Sequence, residues 1–266
     1  MALSITTDAG TVADLAQALV NRDPVAYTVF GSISEAVRDS AVAPWAARPD
    51  SAPDVLAARS QAHTPVAFSD GWTDVGDLVG AVRALGPVGI AGPPETVAEV
   101  QRALDLPITH RMDERLFRLD ELIPPPGTDG AARLATGADA DWLSPWYLAF
   151  AVEAFGAVPA GFEPAMSRRI VRSRIWIWSD RAGRPRSFAV AQRPVAGVAR
   201  IGPVYTPPEA RGHGYGSAAT AAASRDVLEA GFVPCLYTDL ANPTSNKIYQ
   251  ALGYRPVLDR TSLRFD

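Results

Sequence analysis

Seven residues, Arg211-Gly212-His213-Gly214-Tyr215-Gly216-Ser217, lie between an extended run at residues 198–206 and an Ala-rich helical stretch at 217–229 that Gly231 ends. Glycines let a backbone approach an anion with no Cβ in the way. A helix starting at once adds unpaired N–H groups and the positive end of its dipole. Strand, glycine turn and helix together make a site for a phosphate or diphosphate. A Walker loop fits poorly, because no lysine follows the glycines and Lys247 is the only lysine in the chain. A Gly-x-Gly-x-x-Gly dinucleotide loop would need Gly or Ala where Ser217 stands, although Asp239 ends the next strand where a ribose partner belongs. The pattern that fits is Arg-x-x-Gly-x-Gly, on Arg211, Gly214 and Gly216. The bland alternative is a tight strand-to-helix turn with no ligand.

A second pattern follows. Asp239-Leu240-Ala241-Asn242-Pro243-Thr244-Ser245-Asn246-Lys247-Ile248-Tyr249-Gln250-Ala251-Leu252-Gly253-Tyr254 reads Asn-x-x-x-Asn-x-x-Tyr-x-x-x-Gly-Tyr. The loop and this segment together resemble the coenzyme A loop and second motif of the GNAT superfamily of N-acetyltransferases. The resemblance is close over residues 198–257, loose over 131–195, and not visible before that.

The resemblance implies an acetyl-CoA-dependent transfer by direct attack of an amine on the thioester. It implies that backbone N–H groups from Gly212 to Ser217 hold the diphosphate. Arg211 adds charge or fixes the loop's shape, and His213 and Tyr215 fill its variable positions. Val204, Tyr205 and Thr206 end the strand whose backbone pairs with the pantetheine arm, and an N–H near Val204 faces the thioester oxygen. Pro203, which has no N–H, marks a bulge that parts the two central strands. Asn246 is a cofactor contact. Asn242 is either a second one or simply a helix cap. Tyr249 is the proton donor to the leaving thiolate, since a phenol of pKa about 10 suits that group better than a carboxylic acid; its alternative is core packing on Leu252. No base is assigned: Glu153, the one charge in the apolar stretch 142–162, is the first candidate if burial raises its pKa, its alternative being to face solvent, and a water relay to backbone carbonyls would need no carboxylate. Asp239 is the second candidate. Tyr254 and the aromatics Trp142, Trp146, Tyr147 and Phe150 read mainly as core.

These residues need an α/β frame to hold them. The order after residue 130 is strand (131–135), helix (141–156), a hairpin of strands (170–178 and 187–192) turning at Asp180-Arg181-Ala182-Gly183, a long strand (195–206), the loop and its helix, and a strand (234–239). The short helix and strands at 254–258 and 262–265 close it. The expected result is a mixed, mostly antiparallel sheet flanked by helices. Before it, helices at 11–21, 51–58, 74–85 and 95–104 alternate with strands at 25–30, 66–69, 88–91 and 115–122. This first half is either a smaller α/β domain of its own or a degenerate copy of the same fold without the loop. The run Pro124-Pro125-Pro126-Gly127-Thr128-Asp129-Gly130 stops both neighbours and is the expected linker, giving domains at 1–125 and 131–266 with 126–130 between.

With 47% apolar and 20% charged residues over 266 positions, the composition is that of a folded globular chain. A formal charge of −4 argues against nucleic acid as the main partner. Cys235 is the only cysteine, so no intrachain disulfide forms and a reducing, cytoplasmic setting is the simplest expectation. Residues 1–10 lack a signal-peptide pattern, and Pro145, Gly156, Pro159 and Gly161 interrupt the one long apolar stretch, so no membrane partner is expected. His63, His110 and His213 share no ligand spacing, so no metal is expected. The acceptor is a small-molecule amine or a protein amino group, and a homodimer is an open alternative. The competing functions are a non-catalytic sensor or regulatory module that binds acetyl-CoA or CoA and, more weakly, a nucleotide-binding protein with a Rossmann-like loop.

Overall fold

The computed structural model describes residues 2–39, 43–156, 158, 170 and 173–265. Its contacts divide the chain into two compact units, Met1–Leu116 with Asp239–Ala241 and Leu258–Asp266, and Phe117–Thr238 with Asn242–Val257.

The first unit runs β1 (Leu3–Thr6), α1 (Ala9–Arg22), α2 (Thr28–Asp39), β2 (Trp45–Pro49), β3 (Ala57–Arg59), β4 (Val66–Phe68), α3 (Gly76–Ala84), β5 (Gly89–Gly92), α4 (Pro94–Leu104) and most of β6 (Ile108–Arg118). Strands β1 to β4 pair antiparallel in sequence order, and β4 pairs parallel with β5, Val66 opposite Ile90. Asp8 caps α1 by accepting the N–H of Thr11, and Val12, Ala16 and Leu19 line that helix's buried face. One sheet face, including Trp45, Ala47, Phe68 and Ile90, packs with Leu78 and Val82 of α3 and Val97 and Val100 of α4 into one core.

Two early expectations are corrected. Residues 25–30 form a turn and the start of α2 rather than a strand, because Phe30, Ile33 and Val37 recur at helical spacing and bury one face. Residues 51–58 are not a helix: Ala57 and Ala58 begin β3, both buried within the sheet.

Apart from α2, the second unit repeats the order of elements among the described residues. It runs β7 (Ala131–Leu134), α5 (Ala140–Phe155), β8 (Arg174–Ser179), β9 (Pro185–Ala191), β10 (Val198–Tyr205), α6 (Tyr215–Glu229), β11 (Val233–Asp239), α7 (Pro243–Ala251) and the start of β12 (Arg255–Phe265). Strands β7 to β10 pair antiparallel, and β10 pairs parallel with β11. Residues 171 and 172 of the expected strand 170–178 lie outside the described residues. Each unit therefore carries an antiparallel series that ends in one parallel pair crossed by a helix. The fold is mixed α/β as expected, and the first half takes the same topology as the second.

The division differs from the one read at the prolines. The units meet at Leu116 and Phe117, within β6, and Pro124–Gly130 belongs to the second unit. Strand β12 explains the rest. Its residues 261–264 pair antiparallel with β5, and Leu263 and Phe265 are buried in the first unit's core. A linker signature marks where a chain is stiff; long-range strand pairing decides which core a segment joins.

Candidate functional site

Strand β10 and β11 pair only at Val198–Val233, Ala199–Pro234 and Arg200–Cys235. Beyond Arg200 the ladder between them stops, and β10 carries an irregularity between Ile201 and Val204 on its β9 side. Pro203 sits in that interval and has no N–H to give. Val204 and Tyr205 then pair with Ala189 and Phe188 of β9. The parallel pair is open at the end where the glycine loop begins, as a ligand arm inserted between two strands would require.

The loop turns twice through left-handed backbone, at Gly212 (φ 80°) and at Gly214 (φ 78°), which is the N-cap of α6. No side chain caps that helix, and its first turn contains no acidic residue. Among the described residues no acceptor meets the N–H of Gly212, His213, Gly214, Tyr215, Gly216 or Ser217; the first amide of the helix to be used is that of Ala218, to Gly214 O at 3.0 Å. Six unpaired donors at the positive end of a fifteen-residue helix fit a diphosphate. His213 stacks on Tyr215 at 5.6 Å, and its Nδ1 lies 2.8 Å from Arg211 O.

Two glycines are held to their identity by neighbours. A Cβ on Gly216 would stand 3.1 Å from Thr206 Oγ1, and one on Gly214 would stand 2.9 Å from Thr128 Oγ1. Thr206 donates to Ser187 Oγ at 2.9 Å, and the buried Ser187 hydroxyl donates to Tyr205 O at 2.9 Å. This relay fixes the end of β10 beneath the loop. Sequence reading missed Ser187 and Thr128; neither stands in a local pattern that marks it.

Arg211 points away from the loop's donors. Its Nε donates to Thr206 O at 2.9 Å, and one Nη donates to both carboxylate oxygens of Glu153, at 2.9 and 2.7 Å. Glu153 is thus an exposed, fully engaged ion-pair partner, not the buried free carboxylate expected of a base. Asp239, the other candidate, falls in the first unit, where its Oδ1 accepts the N–H of Ala241 at 2.8 Å.

Asn242 is the N-cap of α7: its Oδ1 accepts the N–H of Ser245 at 3.0 Å. Asn246 turns its amide back onto Asn242 O at 2.8 Å. The capping reading of Asn242 is therefore the one the geometry satisfies. Tyr249, on the same helix, is half-buried against a cluster that includes Leu236 and Leu252, with Tyr254 edge-on at 6.0 Å. Burial pushes its phenol up to about 12, against a smaller opposite effect from the Ser245 hydroxyl. Tyr254 is buried and shares a 2.8 Å hydrogen bond with Ser224, a packing role. Tyr147 is core, and Trp142, Trp146 and Phe150 pack around it with Phe188 and Tyr205.

The corresponding place in the first unit is built differently. Its loop between β4 and α3 contains Asp70 and Asp74, Asp77 lies in the first turn of α3, and Asp74 itself takes the N–H of Gly76. Asp70 is held by Tyr27, whose hydroxyl donates at 2.6 Å. Carboxylates at a helix N-terminus occupy the position an anion would take. The parallel strands also stay together there: a Cβ on Gly92 would meet Phe68 Cβ at 2.8 Å and Phe68 O at 2.9 Å.

Among the described residues no helix is long and apolar enough to cross a membrane. No group of three or more His, Cys, Asp or Glu among them is arranged to hold a metal.

Comparison with known proteins agrees with this geometry. Residues 187–263, which contain most of β9, and β10, the loop and α7, match the family model of FR47-like protein. No curated protein matches the chain. Among solved structures, a tandem GNAT protein from the clavulanic acid biosynthesis pathway is 16% identical with a TM-score of 0.62, the match covering 99% of this chain and 98% of that one. A GCN5-related N-acetyltransferase from Sphaerobacter thermophilus is 15% identical with a TM-score of 0.62, covering 98% and 95%. One from Kribbella flavida is 18% identical with a TM-score of 0.56, covering 79% and 86%. The chain has the fold of the tandem GNAT proteins, and residues 187–263 are its FR47-like segment.

Proposed function

We propose that the second unit is an acetyl-CoA-dependent N-acetyltransferase acting on a primary amine. The observation that carries this reading is the run of amides Gly212 to Ser217, which meet no acceptor among the described residues, at the end of the strand pair that opens beyond Arg200. The cosubstrate supplies an activated acetyl thioester. The loop amides and the dipole of α6 hold its diphosphate, which fixes the cosubstrate without using a titratable side chain. The end of β10, around Val204, holds the pantetheine arm by its backbone and aims an N–H at the thioester oxygen, where charge grows in the transition state.

Tyr249 acts at the sulfur. With its pKa up at about 12, its phenol stays protonated through the neutral range. It is therefore a hydrogen-bond donor to the departing thiolate rather than a group that titrates with it. Thiols ionise near 8.5, so the proton that finally reaches sulfur as the C–S bond breaks comes more readily from the amine nitrogen, which attacks neutral and turns cationic once bonded to the carbonyl carbon, than from this phenol. Positioning of the amine and thioester in one cleft supplies the remainder of the rate.

Calorimetric titration with acetyl-CoA, with NAD as control, tests the loop. Binding of acetyl-CoA alone in the micromolar range supports the assignment; preference for NAD replaces it with a nucleotide-binding reading. Thiol release with a panel of amines, compared between wild type and Tyr249→Phe, then separates an enzyme from a CoA-binding sensor. The enzyme loses about tenfold or more in kcat while still binding acetyl-CoA, on the scale of one hydrogen bond to a developing charge. A sensor binds equally well and releases no thiol in either form.

A further inference from the structure

The arginine of the glycine loop lies in a closed circuit of contacts. Trp146 and Glu153, seven residues apart on α5, both reach Tyr205: the Trp146 ring meets the Tyr205 ring edge-on at 6.2 Å, and the Tyr205 hydroxyl lies 3.4 Å from Glu153 Oε1. Arg211 lies over the Tyr205 ring at 6.0 Å and closes the circuit on Glu153 through both carboxylate oxygens. Its Nε is spent on Thr206 O, one residue beyond β10. Every one of these contacts faces α5 and the strand end, leaving the anion side of the loop to the backbone amides.

We infer that Arg211 is a positioning residue and not a phosphate ligand, and that Glu153 is its necessary partner: together they fasten α5 to the end of β10 and hold the loop amides in register. The inference rests on the proposed acetyl-CoA site. It makes Glu153 matter for cosubstrate affinity although its carboxylate would repel a diphosphate.

The sign of one substitution decides between the two roles. Were Arg211 a phosphate ligand restrained by Glu153, Glu153→Gln would free a guanidinium and remove a negative charge, and acetyl-CoA would bind more tightly. In the positioning role, Glu153→Gln loosens the circuit and weakens binding by about two- to fivefold, the range for one partly exposed ion pair. Arg211→Gln weakens binding to a similar degree, and in the double variant the Glu153 substitution adds nothing further, because the pair acts as a unit. The effect falls on the Kd and KM for acetyl-CoA and leaves kcat at saturation within about twofold. Arg211→Lys, which keeps charge but cannot span Thr206 O and Glu153 together, does not restore affinity.

Calorimetry with acetyl-CoA on the folded, full-length variants reads all of this. Unchanged or tighter binding by Glu153→Gln overturns the inference, and so does an Arg211→Gln loss that far exceeds that of Glu153→Gln and is rescued by Lys. If Arg211→Gln does not fold, the sign for Glu153→Gln alone decides. If the wild type itself binds no acetyl-CoA, the proposed function fails before the inference is reached.

Discussion

Gly214 faces Thr128 so closely that a β-carbon on the glycine would stand 2.9 Å from the threonine hydroxyl. The same glycine is the N-cap of α6 at φ 78°, a conformation that costs an L-residue roughly 1–2 kcal/mol. Gly214→Ala is therefore expected to destabilise the fold by about 1–2 kcal/mol and to weaken acetyl-CoA binding by more than that strain alone explains. Adding Thr128→Ala removes the hydroxyl and with it only the side-chain collision. It is expected to recover part of the binding and none of the backbone cost, which a urea midpoint and a Kd measured on both variants would separate.

The two units differ at the place where the cosubstrate is proposed to sit. Asp70 and Asp74 precede α3 and Asp77 lies in its first turn, and Gly92 lies against Phe68 where the parallel strands of the second unit have already parted. One acetyl-CoA per chain is the expected calorimetric stoichiometry. A second site of comparable affinity, surviving Gly216→Val, would place a ligand in the first unit against this reasoning.

Asp139 sets an acid limit on stability. Hydrogen bonds from Arg133 hold its carboxyl well below the usual carboxylate range, against burial, with the Thr136 N–H adding to the shift. Asp180 is held at about 2: burial pushes it up and is outweighed by the Arg184 N–H and the guanidinium groups of Arg186 and Arg184. Both carboxyls bind protons more readily unfolded than folded, so their stabilisation is present above the unfolded value of 3.8 and fades as pH falls below it. Urea midpoints should fall between about pH 4 and pH 2. Asp139→Asn should be less stable than wild type at pH 7, and the gap should narrow through that same interval.

Arg59 carries an uncompensated cost. It is 7% exposed, its Nε has no acceptor among the described residues, and its one hydrogen bond runs 3.4 Å to Ala62 O. Desolvation pulls its pKa down. Arg59→Met keeps much of the stem and removes the unsatisfied donor, so it should stabilise the protein by about 1 kcal/mol. A lower urea midpoint in Arg59→Met would count against this account.

What could be read from residues alone follows the range of the physics involved. Glycine conformations, helix caps and the 3.6-residue period act within a few positions, so the loop, α6, the cap at Asn242 and the buried face of α1 were legible. So was the mixed α/β class, since alternation of elements is itself local. Glu153 and Arg211 are 58 residues apart, and neither has a neighbour that betrays the pairing. The carboxylate looked like a lone charge in an apolar helix and is instead one end of an ion pair. Thr128, inside a run that signals only stiffness, gave no sign of touching Gly214. Residues 25–30 misled because Val25, Tyr27 and Phe30 suit a strand as well as a helix until Ile33 and Val37 are counted with them.

Strand β12 bears on how the protein comes into being. The edge of β5 is paired by residues 261–264, and Leu263 and Phe265 fill the same core as Trp45 and Ile90. Domains emerging from a ribosome ordinarily fold in the order in which they are made, N-terminal first. Here the half that is synthesised first does not finish its sheet until residues 261–264 have left the exit tunnel. Its nascent form is expected to carry an open strand edge through synthesis of the second unit, and emergence of β12, rather than synthesis of the first unit itself, sets the moment at which the first unit's sheet is complete.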